Sequence, residues 1–241
     1  MPSLGDSPST SATERRATQS LSSALLLTFT GGFLDAFLYV THGGVFAGAM
    51  TGNLVLFGIA LLSRDSHQAL HHLLPIVAFA LGIWCAFVAE AGLRHHVVLV
   101  ALALESAGLF IASLLPHTFP GRLFIALICI LAGYQVGSFR TVDTFVYNAT
   151  FIAGNILRTV ESFHAILIRI RHGKPMREFR DLGLVLVLFL VGAVTAATLA
   201  GRMGNHALCV PLVAVLAVLS ITLWRELKQP RPPRRKIGEP I

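Results

Sequence analysis

Seven apolar runs of spanning length follow one another along this chain, at about 21–40, 45–62, 73–93, 97–115, 122–139, 182–201 and 207–224. A helix needs ~20 residues to cross ~30 Å of hydrocarbon. A backbone in lipid must satisfy its own polar groups, and the runs lack the alternation of barrel strands, so they predict helices. An eighth stretch, 144–160, is apolar but diluted by Asn148, Thr150, Asn155 and Arg158. The expectation is an all-α, polytopic transmembrane bundle with six to eight membrane segments.

Composition agrees. Of 241 residues, 54% are hydrophobic and 13% charged, against about 25% charged in soluble domains. The net charge of +7 does not point to nucleic acid. Most Lys and Arg lie at 169–180 and 225–236, flanking apolar runs, where such residues set topology and attract anionic lipid. Cys85, Cys129 and Cys209 stand far apart inside apolar runs and read as small buried hydrophobes.

The chain divides into a polar tail at 1–20, one transmembrane domain at 21–224 and a basic, Pro-rich tail at 225–241. The first tail is rich in Ser, Thr and Pro and reads as disordered cytoplasmic sequence, not a cleaved signal. Within the domain, 21–115 and 122–224 read as two repeats. Gly32 pairs with Gly133, Gly52-Asn53 with Gly154-Asn155, and Gly82 with Gly192. Duplicated halves with Gly-interrupted segments in matching positions are a common transporter plan.

Charge counting fixes sides but not span number. With eight spans, Arg94, Arg140 and Arg202 lie outside. With the second and sixth segments dipping in and returning, Arg64, Arg122 and Arg202 do. Either way, 16 of the 19 basic residues are inside, with both termini cytoplasmic. Three spans per half would make inverted repeats; four would make parallel ones.

Small residues recur at fourfold spacing: Gly44, Gly48, Gly52; Gly133, Gly137; Ala78, Gly82, Ala86; and Gly192, Ala196, Ala200. Such stripes let helices approach closely. The short link 41–44 predicts that the first two segments form an antiparallel helical hairpin.

The polar residues inside the runs are the candidate site. Asp35 shares a helix face with Thr28, Gly31, Gly32 and Tyr39. An Asp at a membrane helix centre costs ~2.5–3.5 kcal/mol, so something must offset it. It could carry a proton, bind a cation or amine, or cap a broken helix through backbone N–H groups. Thr51, Gly52 and Asn53 suggest a helix break near Asp35, echoed by Asn155; Glu105 is the second acid deep within a run. Ten histidines invite a metal, but His67/His71 and His95/His96 fall on opposite sides of the membrane. Neither a metal nor a cofactor is expected. No hydrolase elbow, HExxH or phosphate loop is present, so no enzyme is expected.

The Asp35-Ala36 pair, the pattern FxxxMTGN from Phe46 to Asn53, and the GxQ of Gly133 to Gln135 resemble the YoaK family, domain of unknown function 1275. Val136 stands where members often have Asn, and Ala153 where they often have Thr. The resemblance implies a bacterial inner-membrane protein of about six helices and adds Gln135 to the candidates.

Two functions compete. One is a transporter of a small solute or ion, with a site between repeats formed by Asp35, Thr51, Gly52, Asn53, Glu105, Gln135 and Asn155. The other is a non-transporting scaffold or sensor subunit. The partner expected in both is the lipid bilayer; nothing in the sequence sets the oligomeric state.

Overall fold

The computed structural model describes residues 21–93, 97–139, 141–142, 145–146, 152–168 and 174–228. The helices are α1 (Leu21–Thr41), α2 (Met50–Leu62), α3 (Ser66–Leu93), α4 (Val97–Leu114) and α5 (Gly121–Ser138). A two-residue antiparallel pair follows, β1 (Thr141–Val142) with β2 (Phe145–Val146). Then come α6 (Ile152–Leu167), α7 (Lys174–Met203), a 3₁₀ turn (Gly204–Leu208) and α8 (Cys209–Lys228). Helical stretches long and apolar enough to cross a membrane are Leu21–Thr41, Ser66–Gly92, Val97–Leu114, Gly121–Ser138 and Pro175–Lys228, the last holding both α7 and α8. The fold is a polytopic helical bundle.

Contacts at one end of the bundle fix the directions. His42, just past α1, stacks on Phe124 at the start of α5 with ring centroids 4.5 Å apart. The His71 ring, in the second turn of α3, hydrogen-bonds the His42 carbonyl at 3.1 Å. Asn205 of the 3₁₀ turn donates to the Leu115 carbonyl just past α4 at 2.9 Å. So α1, α4 and α7 end there, while α3, α5 and α8 begin there. Among the described residues, six long helices alternate in direction.

The closest packing pairs α1 with α7 and α3 with α5. A methyl at Gly32 would lie inside the Phe189 carbonyl, and one at Gly192 inside the Phe29 carbonyl. A methyl at Gly133 would strike the Phe79 carbonyl, and one at Gly82 the Ile130 carbonyl. Ala86, Ala196 and Ala200 are buried along the same seams. Small residues thus bring backbones into contact, as lipid-embedded helices require. The inner core gathers Phe33, Phe37, Leu102, Leu109, Ile128 and Val215. Outward, Trp84, Phe87, Phe110, Val187, Leu190 and Val213 are exposed, the reverse of a soluble domain's patterning.

Four sequence expectations change. The run 45–62 is not a spanning helix: α2 has 13 residues and rises only ~20 Å. Gly44 and Gly48 precede it, so their stripe with Gly52 does not form on one helix. The run at 144–160 yields to α6 at Ile152–Leu167, with Arg158, Glu161 and His164 along it; 16 residues rise only ~24 Å. Finally, 174–180 and 225–228, expected as loop and tail, extend α7 and α8. The tails at 1–20 and 229–241, and Arg94, Arg140, Asn148 and Thr150, lie outside the described residues.

Candidate functional site

The connection from α1 to α2 makes the site. Gly43 and Gly44 take positive φ, 74° and 78°, a backbone that residues with a Cβ rarely adopt. The chain turns there and runs back down along α1. The Gly44 N–H donates to the Tyr39 carbonyl, and Phe46 packs on the Tyr39 ring at 5.0 Å. By Gly48 and Ala49 the chain has reached the depth of Asp35. Helix α2 then climbs back, and Leu56, Ile59, Ala60 and Ser63 border the same cleft as Gly43 and Gly44. The expected antiparallel hairpin is therefore wrong. The descending arm is irregular backbone, and α2 runs in the same sense as α1.

Irregular backbone inside a bundle needs partners for its polar groups. Asp35 Oδ1 accepts the Gly48 N–H at 2.6 Å and the Ala49 N–H at 3.3 Å. These are orphan donors leading into α2, where the positive end of the helix dipole also favours an anion. Asn53 serves the other side of the turn. Its Oδ1 accepts the Phe46 N–H at 2.9 Å, and its Nδ2 donates to the Phe46 carbonyl at 2.8 Å. Asp35 is 5% exposed and Asn53 fully buried. Gly52 lies against the Phe46 ring, where a methyl would come within 2.8 Å. The Cys129 thiol on α5 approaches the Phe46 carbonyl at 3.8 Å.

A second polar pair lies further along α5. Gln135 Nε2 donates to Glu105 Oε1 at 2.7 Å, and both residues are buried. Gln135 is six residues beyond Cys129, so the pair sits ~9 Å deeper along the α5 axis than the turn. Among the described residues, Asp35 Oδ2, Glu105 Oε2 and Ser106 Oγ have no hydrogen-bond partner.

The expected residues divide accordingly. Asp35, Gly52 and Asn53 meet at one turn. Glu105 and Gln135 form a separate pair. Thr51 is exposed, one residue from the turn yet outside it. Asn155 is buried within α6, a helix that packs on α7. Sequence reading missed the backbone of Phe46, Gly48 and Ala49; the glycine-dense GGVFAGAM from Gly43 to Met50 was the available signal. It also missed the latch above the turn. Thr41 Oγ1 donates to the Phe37 carbonyl at 2.6 Å and lies 2.7 Å from His42 Nδ1. The only hydroxyl proton is used, so His42 Nδ1 must donate to it. Burial, with a contribution from His71, pushes the His42 pKa below its ordinary value.

A cleft of about 360 Å³ lies above the turn, between the end of α1, α2 and the start of α3, with Tyr39, Asp65, Gln68 and His72 along it. Among the described residues, no cluster of three metal-ligating side chains occurs.

The chain is 27% identical over 202 residues to the UPF0700 transmembrane protein YoaK of Bacillus subtilis (strain 168), covering 80% of this chain and 90% of that one. No solved structure matches it. Residues 23–221 match the family model described as protein of unknown function, DUF1275. The alternating apolar helices and these matches together make the chain a transmembrane protein of the DUF1275 family.

Proposed function

We propose that this protein transports a small solute or ion and is built from two inverted repeats of three spans each. Every repeat would add a short re-entrant helix, α2 in the first and α6 in the second. The supporting observation is the exchange of partners between halves: α1 packs on α7 as α5 packs on α3. Gly32 and Gly192 meet backbone across their seam as Gly133 and Gly82 do across theirs. The pairings α2 with α3 and α6 with α7, and α4 with α5 and α8 with α1, follow the same exchange. Because α1 and α5 run in opposite directions, the relation is an inversion, the arrangement used for alternating access. The Asp35-held turn is the element that would move.

Under this reading Arg64, Arg122 and Arg202 face the periplasm and both termini the cytoplasm of a bacterial inner membrane. No enzymatic activity is part of it. Reconstitution in liposomes with a pH-sensitive dye and a panel of small solutes tests it. Solute-dependent flux that Asp35→Asn abolishes supports the reading; no flux for any solute opposes it. One observation favours the scaffold reading instead. Asp35 Oδ1 is occupied by backbone donors, which is what a purely structural cap requires.

A further inference from the structure

Glu105 and Asp35 are both buried acids, yet their surroundings differ. Asp35 meets two backbone N–H groups at the start of a helix, a donor set suited to an anion. Glu105 is 2% exposed and has one neutral amide donor, Gln135, on one oxygen, while Oε2 has no partner among the described residues.

Among the described residues, no cation on the helices packed against α4 stands near enough to compensate a charge; Arg94, His95, His96 and Arg140 lie outside the described residues. On α5, Arg122 is thirteen residues before Gln135, ~20 Å along the axis; Cys129 and Tyr134 are that helix's other titratable groups. On α8 there is no Asp, Glu, Lys, Arg or His before Arg225, and Cys209 lies at its first turn. The 3₁₀ turn brings His206 to the end of the bundle where α4 finishes, and Glu105 lies nine residues before that end, ~14 Å along the axis. On α3, which touches α4 only lightly, His67, His71 and His72 lie in the first two turns, Cys85 further along and the acid Glu90 near the other end. An ionised carboxylate in apolar surroundings without a counter-charge is strongly disfavoured against its neutral form.

We infer that Glu105 is a proton-binding site of the bundle core, held as the neutral acid in this conformation and able to release its proton only where water reaches it. On release the O–H bond breaks, the electron pair stays on the carboxylate and the proton passes to water. Gln135 positions the carboxyl through the other oxygen. Proton binding itself does not depend on transport. Its use to couple solute movement to a proton gradient rests on the transporter reading.

The test is infrared spectroscopy of the full chain in phosphatidylcholine vesicles near neutral pH. The expected result is the carbonyl stretch of a protonated carboxylic acid, present in the wild type and in Asp35→Asn and lost in Glu105→Gln. A wild type without that band, or a band that survives in Glu105→Gln, overturns the inference. Because Glu105→Gln could disturb folding, wild-type protein is also treated with the apolar reagent dicyclohexylcarbodiimide and its peptides mapped by mass spectrometry. An adduct on Glu105 and none on Asp35 is expected; the reverse pattern overturns the assignment. Neither readout requires a transported solute, so failure of the transport reading leaves both unchanged.

Discussion

The Asp35 carboxylate accepts the backbone N–H of Gly48 at 2.6 Å, across thirteen residues of sequence. One acid on a membrane helix thereby holds the bottom of a turn that enters the bundle and leaves by the side it came from.

Asp35→Asn keeps an oxygen for Gly48 and Ala49 but removes the charge at the start of α2. A loss of about 1–2 kcal/mol is expected, the scale of a charge at a helix N-terminus. Asp35→Leu leaves both N–H groups without a partner, at about 1–3 kcal/mol each. Thermal unfolding in detergent should rank wild type, Asn and Leu in that order. If the protein transports, the Asn variant should fold and be inactive.

The Asn53 side chain bonds both backbone groups of Phe46. Asn53→Ala should cost roughly 1–3 kcal/mol by orphaning the partly buried Phe46 N–H and leaving the Phe46 carbonyl only the Cys129 thiol. Asn53→Asp should cost more, since it sets a carboxylate oxygen against the Phe46 carbonyl. Melting temperatures of the two variants check the order; an Asp variant as stable as the Ala variant would contradict the assigned bonds.

The bundle was legible in the sequence because a bilayer requires a long apolar run for each crossing, and α1, α3, α4 and α5 begin or end within a few residues of those runs. Run 45–62 misled because apolarity measures affinity for the membrane interior and not helical path. Gly43 and Gly44 break the backbone, and Asp35, distant in sequence, makes the irregular segment tolerable. Asp35 and Asn53 were recognisable as costly residues. Their partners were not, because main-chain N–H and C=O groups carry no signature in side-chain identity. The Glu105–Gln135 contact bridges thirty residues and needed the packing of α4 on α5 to be visible.

The helix seams predict a contrast among glycines. Gly32→Ala and Gly133→Ala would drive a methyl into a neighbouring backbone carbonyl, and each should cost about 1–3 kcal/mol through forced separation of the helices. Gly58→Ala and Gly201→Ala meet nothing within 4 Å. These should be neutral or stabilising by up to about 1 kcal/mol, since Ala favours a helix interior over Gly. Unfolding by heat or denaturing detergent separates the two groups.

His42 predicts a pH dependence. Burial and the His71 charge lower its pKa in the fold below the ordinary 6.5. The unfolded chain therefore binds more protons than the fold as pH drops below that value. Stability from this group is complete above about pH 6.5 and is lost as pH falls through the folded value. His42→Phe keeps an aromatic ring over Phe124 and should flatten that slope of melting temperature against pH. An unchanged slope would assign the effect to another group.

The most direct test of the re-entrant, inverted arrangement is side-specific labelling of single cysteines at positions 42, 64 and 225, with Cys85, Cys129 and Cys209 replaced. A membrane-impermeant maleimide applied to intact cells should label positions 42 and 64 and spare 225 until the membrane is opened, because α2 returns to the side on which α1 ends. Labelling of position 42 from outside with position 64 reachable only from the cytoplasm would make α2 a full span and contradict the account.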